Sequence, residues 1–138
     1  MIKLTFCLRK RADLTWDEFS AYWRDVHAPL VKARAEILGI ERYVQVRTLQ
    51  QRETMARMQA RNGGAPEAFD GIAELWYDET ANRPRTPEAT AAGRELLEDE
   101  RNFIDLPQSP MWYGEEWEVW PGKKPFLSNS APRLSVSA

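Results

Sequence analysis

Residues 15–31 read TWDEFSAYWRDVHAPLV, and the rest of the chain can be laid out from this run. Thr15 followed three residues later by Glu18 is a capping box: the hydroxyl accepts from a first-turn amide while the carboxylate reaches back to the cap. Leu14 and Phe19 stand where a hydrophobic staple would close over the helix start. Phe19, Tyr22, Trp23, Val26 and Leu30 recur at helical spacing and are expected to share one face. Pro29 has no N–H to donate and disfavours helical geometry at Ala28, so a kink or a fresh helical start is expected there. His27, the single histidine, lies at the edge of the aromatic face beside that break. A lone histidine on an apolar face is commonly a satisfied core residue. Here the adjacent break supplies a reason for the ring to be aimed into a cleft.

Working outward, the 138 residues suffice for one domain with a real core and not for two. Apolar residues make up 43% of the chain, and the 19 basic and 21 acidic residues are mixed along it. No basic stripe points to nucleic acid. No apolar run approaches the roughly 20 residues that span a bilayer. Lys3, Arg9, Lys10 and Arg11 bracket too short an apolar segment for a signal peptide, so a cytoplasmic location is expected. One cysteine, Cys7, and one histidine form neither an internal disulfide nor an ordinary zinc site. No glycine-rich phosphate loop and no nucleophile elbow is present.

Residues 2–8 alternate, with Ile2, Leu4, Phe6 and Leu8 on one side, and read as a strand. The long helix runs from about Trp16, breaks near Ala28, resumes to about Leu38 and stops at Gly39. A second strand covers 40–49. Residues 50–66 suit a short surface helix or a loop about equally. A third strand covers 70–78, with Ile72, Glu74 and Trp76 on one side and Ala73, Leu75 and Tyr77 on the other. Thr86 and Pro87 open a second long helix, in which 98–101 reads as a solvated charged run and Pro107 to Pro110 as the end. Residues 112–120 read as the last strand. The domain is thus expected over 1–121, with a polar tail over 122–138. Strand, helix, strand, strand, helix, strand is the split βαβ order of an α+β, ferredoxin-like fold: an antiparallel four-stranded sheet with two helices on one face. Apolar groups remain on the other face, so a homodimer packed through the sheets is expected.

Two segments also carry a family resemblance. The opening MIKLTFCLRKRADLTWDEFSAYWRDVHAPLV and the later FDGIAELWYD and EDERNFIDLPQSPMWYGEEWEV together resemble EthD-domain proteins of the dimeric α/β-barrel superfamily. Its most specific parts are the Trp23 to His27 spacing with HAPL following, and Asn102-Phe103-Ile104-Asp105 leading into Ser109-Pro110. Residues 50–66 and the tail depart from it. The resemblance implies a barrel-forming dimer with a pocket between sheet and helices in each subunit. It also implies a small, apolar or aromatic ligand, in a superfamily that includes polyketide cyclases, lactone isomerases, cofactor-free monooxygenases and haem enzymes. It does not fix the reaction.

His27 is the one group that titrates near neutrality, and it is the expected general acid/base. Asp105, within the family-like run, or another carboxylate is expected within hydrogen-bond reach of the ring; Glu74 and Glu116 are the other candidates, each costly on a packed sheet face unless paired. Tyr22 is the expected polariser. Trp23, Tyr43, Trp76, Phe103 and Trp112 are expected to wall the substrate site along with Glu74 and Glu116. No cofactor and no metal is expected, although superfamily membership leaves room for haem on His27. The first functional expectation is proton-transfer chemistry, of cyclase, dehydratase, isomerase or lyase type, on an aromatic or polyketide-like substrate. The alternatives are a cofactor-free oxygenase acting on ethers or aromatics, and a non-catalytic small-molecule binder.

Overall fold

A computed structural model describes residues 1–78 and 85–123. Four antiparallel strands form one sheet in the order β2-β3-β1-β4. They are β1 (Ile2–Leu8), β2 (Ile40–Arg47), β3 (Gly71–Tyr77) and β4 (Met111–Glu115). Helices α1 (Trp16–Tyr22), α2 (Ala28–Leu38) and α4 (Pro87–Glu100) complete the split βαβ plan, and α3 (Arg52–Arg61) follows β2. This is the ferredoxin-like order expected, with the sequence-distant β1 and β3 paired at the centre.

The capping box forms as expected: the Glu18 amide donates to Thr15 Oγ1 at 3.1 Å and the Thr15 amide to Glu18 Oε1 at 2.9 Å. Between α1 and α2 the chain makes a π-helical turn, Trp23–His27, in which the Ala28 amide donates to the Trp23 carbonyl five residues back. Pro29 then sits in the first turn of α2, directly after the π turn. Gly39 ends α2 in the left-handed region, at φ 73°.

The π turn corrects the expected inward face. Phe19, Trp23, His27 and Val31 are buried, a spacing of four each time, whereas Val26 is exposed and Leu30 only half-buried. An α-helix has 3.6 residues per turn and a strict four-residue stripe would drift around it. One wider turn absorbs the drift and brings His27 inward in place of Val26.

Three strands are shorter than expected. β4 ends at Glu115 because its partner β1 has begun only at Ile2, the residue opposite. Residues 50–66 contain a helix, α3, and it buries none of its side chains. α4 ends at Glu100; Ile104 is then held by a bridge to Lys10, and a 3-10 turn over Leu106–Gln108 leads into β4. Most of the expected tail, 124–138, lies outside the described residues. Among those described, no helix is long and apolar enough to cross a membrane.

The core beneath the sheet is in two parts. One gathers Phe6, Leu8, Phe19, Trp23, Ala73, Phe103 and Ile104; the other gathers Val31, Leu38, Ala89, Ala92 and Leu96. Tyr43 packs against both.

Candidate functional site

Between the two halves of the core lies a cavity of about 150 Å³. β1 supplies Leu4, Phe6 and Leu8, β3 supplies Ala73, Leu75 and Tyr77, and β2 supplies Ile40 and Tyr43. The helical side supplies Trp23, His27, Val31, Leu38, Gly93, Leu96 and Glu100. The wall is apolar apart from Tyr43, Tyr77, the His27 imidazole and the Glu100 carboxyl group.

The π turn delivers His27, which is only 4% exposed. Its Nδ1 stands 2.7 Å from Asp99 Oδ2. An ionised carboxylate can only accept, so Nδ1 carries the proton and Nε2 of the neutral ring keeps its lone pair. Asp99 is held in turn: Tyr22 donates its hydroxyl to Oδ1 at 2.6 Å, and Asn102 Nδ2 donates to the Tyr22 oxygen at 3.1 Å. The ring of Phe103 packs against the imidazole, centroids 5.0 Å apart. The π turn is also clamped from β2, where Gln45 Nε2 donates to the Trp23 carbonyl at 3.0 Å.

Glu100 is the second group at the wall, with its Oε2 3.9 Å from His27 Nε2. Burial pushes its carboxyl up to about 7, and the neighbouring Asp99 charge adds to the effect. Burial lowers His27, although the Asp99 hydrogen bond and charge oppose this. Burial alone would raise Asp99, but the hydrogen bonds from Tyr22 and His27 outweigh it and hold the carboxyl below its ordinary range. Burial and the bond to Asp99 raise Tyr22, so its hydroxyl keeps its proton and remains a donor. Near neutrality the site therefore pairs a carboxyl that can hold its proton with an imidazole that can lack one. That is the arrangement of an acid facing a base.

Several expected residues lie elsewhere. The partner of His27 is Asp99, not Asp105. Asp105 precedes the 3-10 turn, where its amide donates to the Arg9 carbonyl and its own carbonyl accepts from Ser109. Glu74 and Trp76 alternate with Ala73 and Leu75, so they face away from the cavity, and Trp112 opposite Thr5 does the same. There Lys3 Nζ meets Glu74 at 2.6 Å, and Trp76 lies between Lys3 and Arg42 and donates to Glu116 at 2.6 Å. Trp23, Tyr43 and His27 do line the cavity. Tyr22 and Phe103 stand behind the imidazole rather than at the wall. Asp99 and Glu100 are the residues that sequence reasoning misses, within the run that reads as solvated. Leu96, Glu100 and Phe103 are spaced by four and three, the signature of one inward face, and that spacing is the signal that could have found them.

Comparison with known proteins supports the architecture. The model of the EthD domain family matches residues 11–107. An ethyl tert-butyl ether D (EthD) family protein from Bacillus halodurans C-125 has a structure similar to this chain, with a TM-score of 0.55 at 22% identity over 85% of this chain and 99% of that one. An EthD-like protein from Ralstonia eutropha JMP134 gives a TM-score of 0.50 at 23% identity, over 83% and 89%. A dimeric protein of unknown function and ferredoxin-like fold from Bacteroides fragilis NCTC 9343 gives 0.50 at 12% identity, over 83% and 95%. At these identities the likeness bears on the fold alone. Comparison with curated proteins finds no significant match.

Proposed function

The chain belongs to the EthD domain family, and from that premise we propose that it is a cofactor-independent enzyme moving protons on a small apolar or aromatic molecule held in the His27–Glu100 cavity. One observation carries the reading: the buried His27–Asp99 pair and Glu100, whose carboxyl burial pushes up to about 7, face each other across 3.9 Å at an apolar wall. His27 Nε2 takes a proton from a substrate C–H or O–H. Asp99 stabilises the resulting imidazolium and keeps the ring oriented. Glu100 gives its proton to a substrate oxygen. The enzyme is then left as imidazolium and carboxylate, and a proton returned from one to the other restores the starting state. Isomerisation, dehydration and ring closure all need such a paired withdrawal and delivery.

Deuterium exchange at the carbons beside the carbonyl of cyclohexanone, followed by NMR in heavy water, tests the chemistry without a known substrate. The native protein is expected to accelerate exchange, and His27→Ala to lose about 10²-fold of that acceleration, the usual scale for a positioned acid/base. The His27→Ala protein should remain folded, losing less stability than Trp23→Ala, for which roughly 3–5 kcal/mol is expected. No acceleration by native protein, or oxygen uptake in its place, would overturn the reading.

We propose further that the protein works as a homodimer through the sheet face that the helices leave bare. Val46 and Trp112, 44% and 51% exposed, lie on that face with Val44 and Ile72. Apolar side chains gathered on one sheet face are ordinarily covered by a partner.

A further inference from the structure

The geometry of the cavity wall points to a ligand class, and this inference rests on the acid–base reading above: we propose that the site takes a neutral, benzene-sized molecule bearing one hydroxyl group, a phenol, alcohol or enol, whose oxygen sits between Glu100 and His27.

The gap sets the position of that oxygen. Glu100 Oε2 and His27 Nε2 are 3.9 Å apart, too far to bond each other. An oxygen about 2.8 Å from both would sit roughly 2 Å off the line joining them, within ordinary hydrogen-bond range of each. Polarity sets the group. His27 Nδ1 donates to Asp99, so the neutral ring offers a lone pair at Nε2. Glu100, as a carboxylic acid, offers a proton. A hydroxyl oxygen accepts from Glu100 while its hydrogen is donated to Nε2, and both wall groups are satisfied. A carbonyl or ether oxygen has no hydrogen for Nε2 and satisfies only one of them.

Charge and size narrow the class further. Among the described residues no lysine or arginine lines the cavity, and the carboxyl group at its wall, Glu100, has the Asp99 carboxylate beside it in sequence, so an anionic ligand has nothing there to neutralise it. The remaining wall is aliphatic and aromatic. A cavity near 150 Å³ is the size at which a dry apolar pocket accepts benzene. Titratable groups facing Glu100 are His27 from the π turn, Tyr43 from β2 and, on its own segment, Asp99 and Arg101. None of these brings a cation to the cavity wall other than a protonated His27.

Calorimetric titration at pH 6 with phenol, toluene and benzoate decides the matter, because toluene exchanges the hydroxyl for a methyl of similar size. Phenol is expected to bind at least tenfold more tightly than toluene, and benzoate not to bind. In Glu100→Leu the preference for phenol over toluene should disappear, and in Glu100→Gln, whose amide still donates, most of it should survive. Toluene equal to phenol would overturn the ligand class while leaving the cavity a binding site. Benzoate as the tightest probe would overturn it in favour of an anionic ligand. Failure of all three probes would remove the cavity as a ligand site, and the proposed function with it. Should Glu100→Leu not fold, the comparison of phenol with toluene on the native protein is sufficient to support or overturn the ligand class.

Discussion

Glu100 holds a carboxyl group among apolar side chains, and the energetic consequence can be measured without any ligand. Its value in the folded protein, about 7, lies above the ordinary 4.5. Between these values the folded protein keeps a proton that the unfolded chain has released, so stability falls as pH rises through that window. At about 1.4 kcal/mol for each tenfold change, the full effect above pH 8 is on the order of 3 kcal/mol. His27, lowered by burial, acts in the opposite sense and only below its ordinary 6.5: there the unfolded chain takes up a proton the folded one resists. Urea unfolding between about pH 6.5 and 8.5 therefore reports Glu100. The native protein is expected to lose on the order of 1 kcal/mol across that range, the upper end of the Glu100 window, the larger part of the loss having come at lower pH. Glu100→Gln should be nearly flat and about 2–3 kcal/mol more stable than native at the alkaline end.

Among the elements, the π turn and the strand beside it are tightly fitted. Gly71 opens β3, and a methyl group built there would stand 2.5 and 2.7 Å from two carbons of the Trp23 ring and 3.1 Å from the Val46 carbonyl. Trp23 is fully buried. Gly71→Ala should lower the stability by about 1–3 kcal/mol, the scale of overpacking; an unchanged thermal midpoint would show that the ring can move. The elements also show where reading from sequence succeeds. His27 stands out because it is unique and because Pro29 marks a helix restart beside it. Element order follows from alternation and from caps at Thr15, Gly39 and Thr86. The acidic run in α4 is harder, since Glu98 to Arg101 reads as solvent-facing unless weighed against the inward positions of Leu96 and Phe103. Asp105 draws notice through its neighbours, while its backbone is used to tie the chain to Arg9. Alternation correctly separates Glu74 and Trp76 from Ala73 and Leu75 on β3. Within one strand it does not say which side the helices will cover, and that depends on contacts distant in sequence.

At the scale of the whole molecule, the bare sheet face combines two kinds of surface. Around Lys3, Glu74, Trp76 and Arg42 it is already covered by ion pairing and ring contacts, while Val44, Val46, Ile72 and Trp112 form its apolar part. Sedimentation equilibrium of the native protein at micromolar concentration is expected to give a dimer. Ile72→Asp, which places a charge in the middle of the apolar part, should shift the protein to monomer with its far-UV spectrum unchanged. A native monomer would refute the assembly.

The cavity owes part of its room to Gly93, inside α4, where an added methyl would meet nothing within 4 Å. Glycine within a helix is destabilising by roughly 1 kcal/mol relative to alanine. Gly93→Ala should therefore raise the thermal midpoint by a few degrees while shrinking the space for a ligand. Selection for robustness alone would favour alanine here. Robustness and capacity are thus set against each other at one position, and any thermostabilised version of this protein that carries alanine at 93 should be checked for what it can no longer hold.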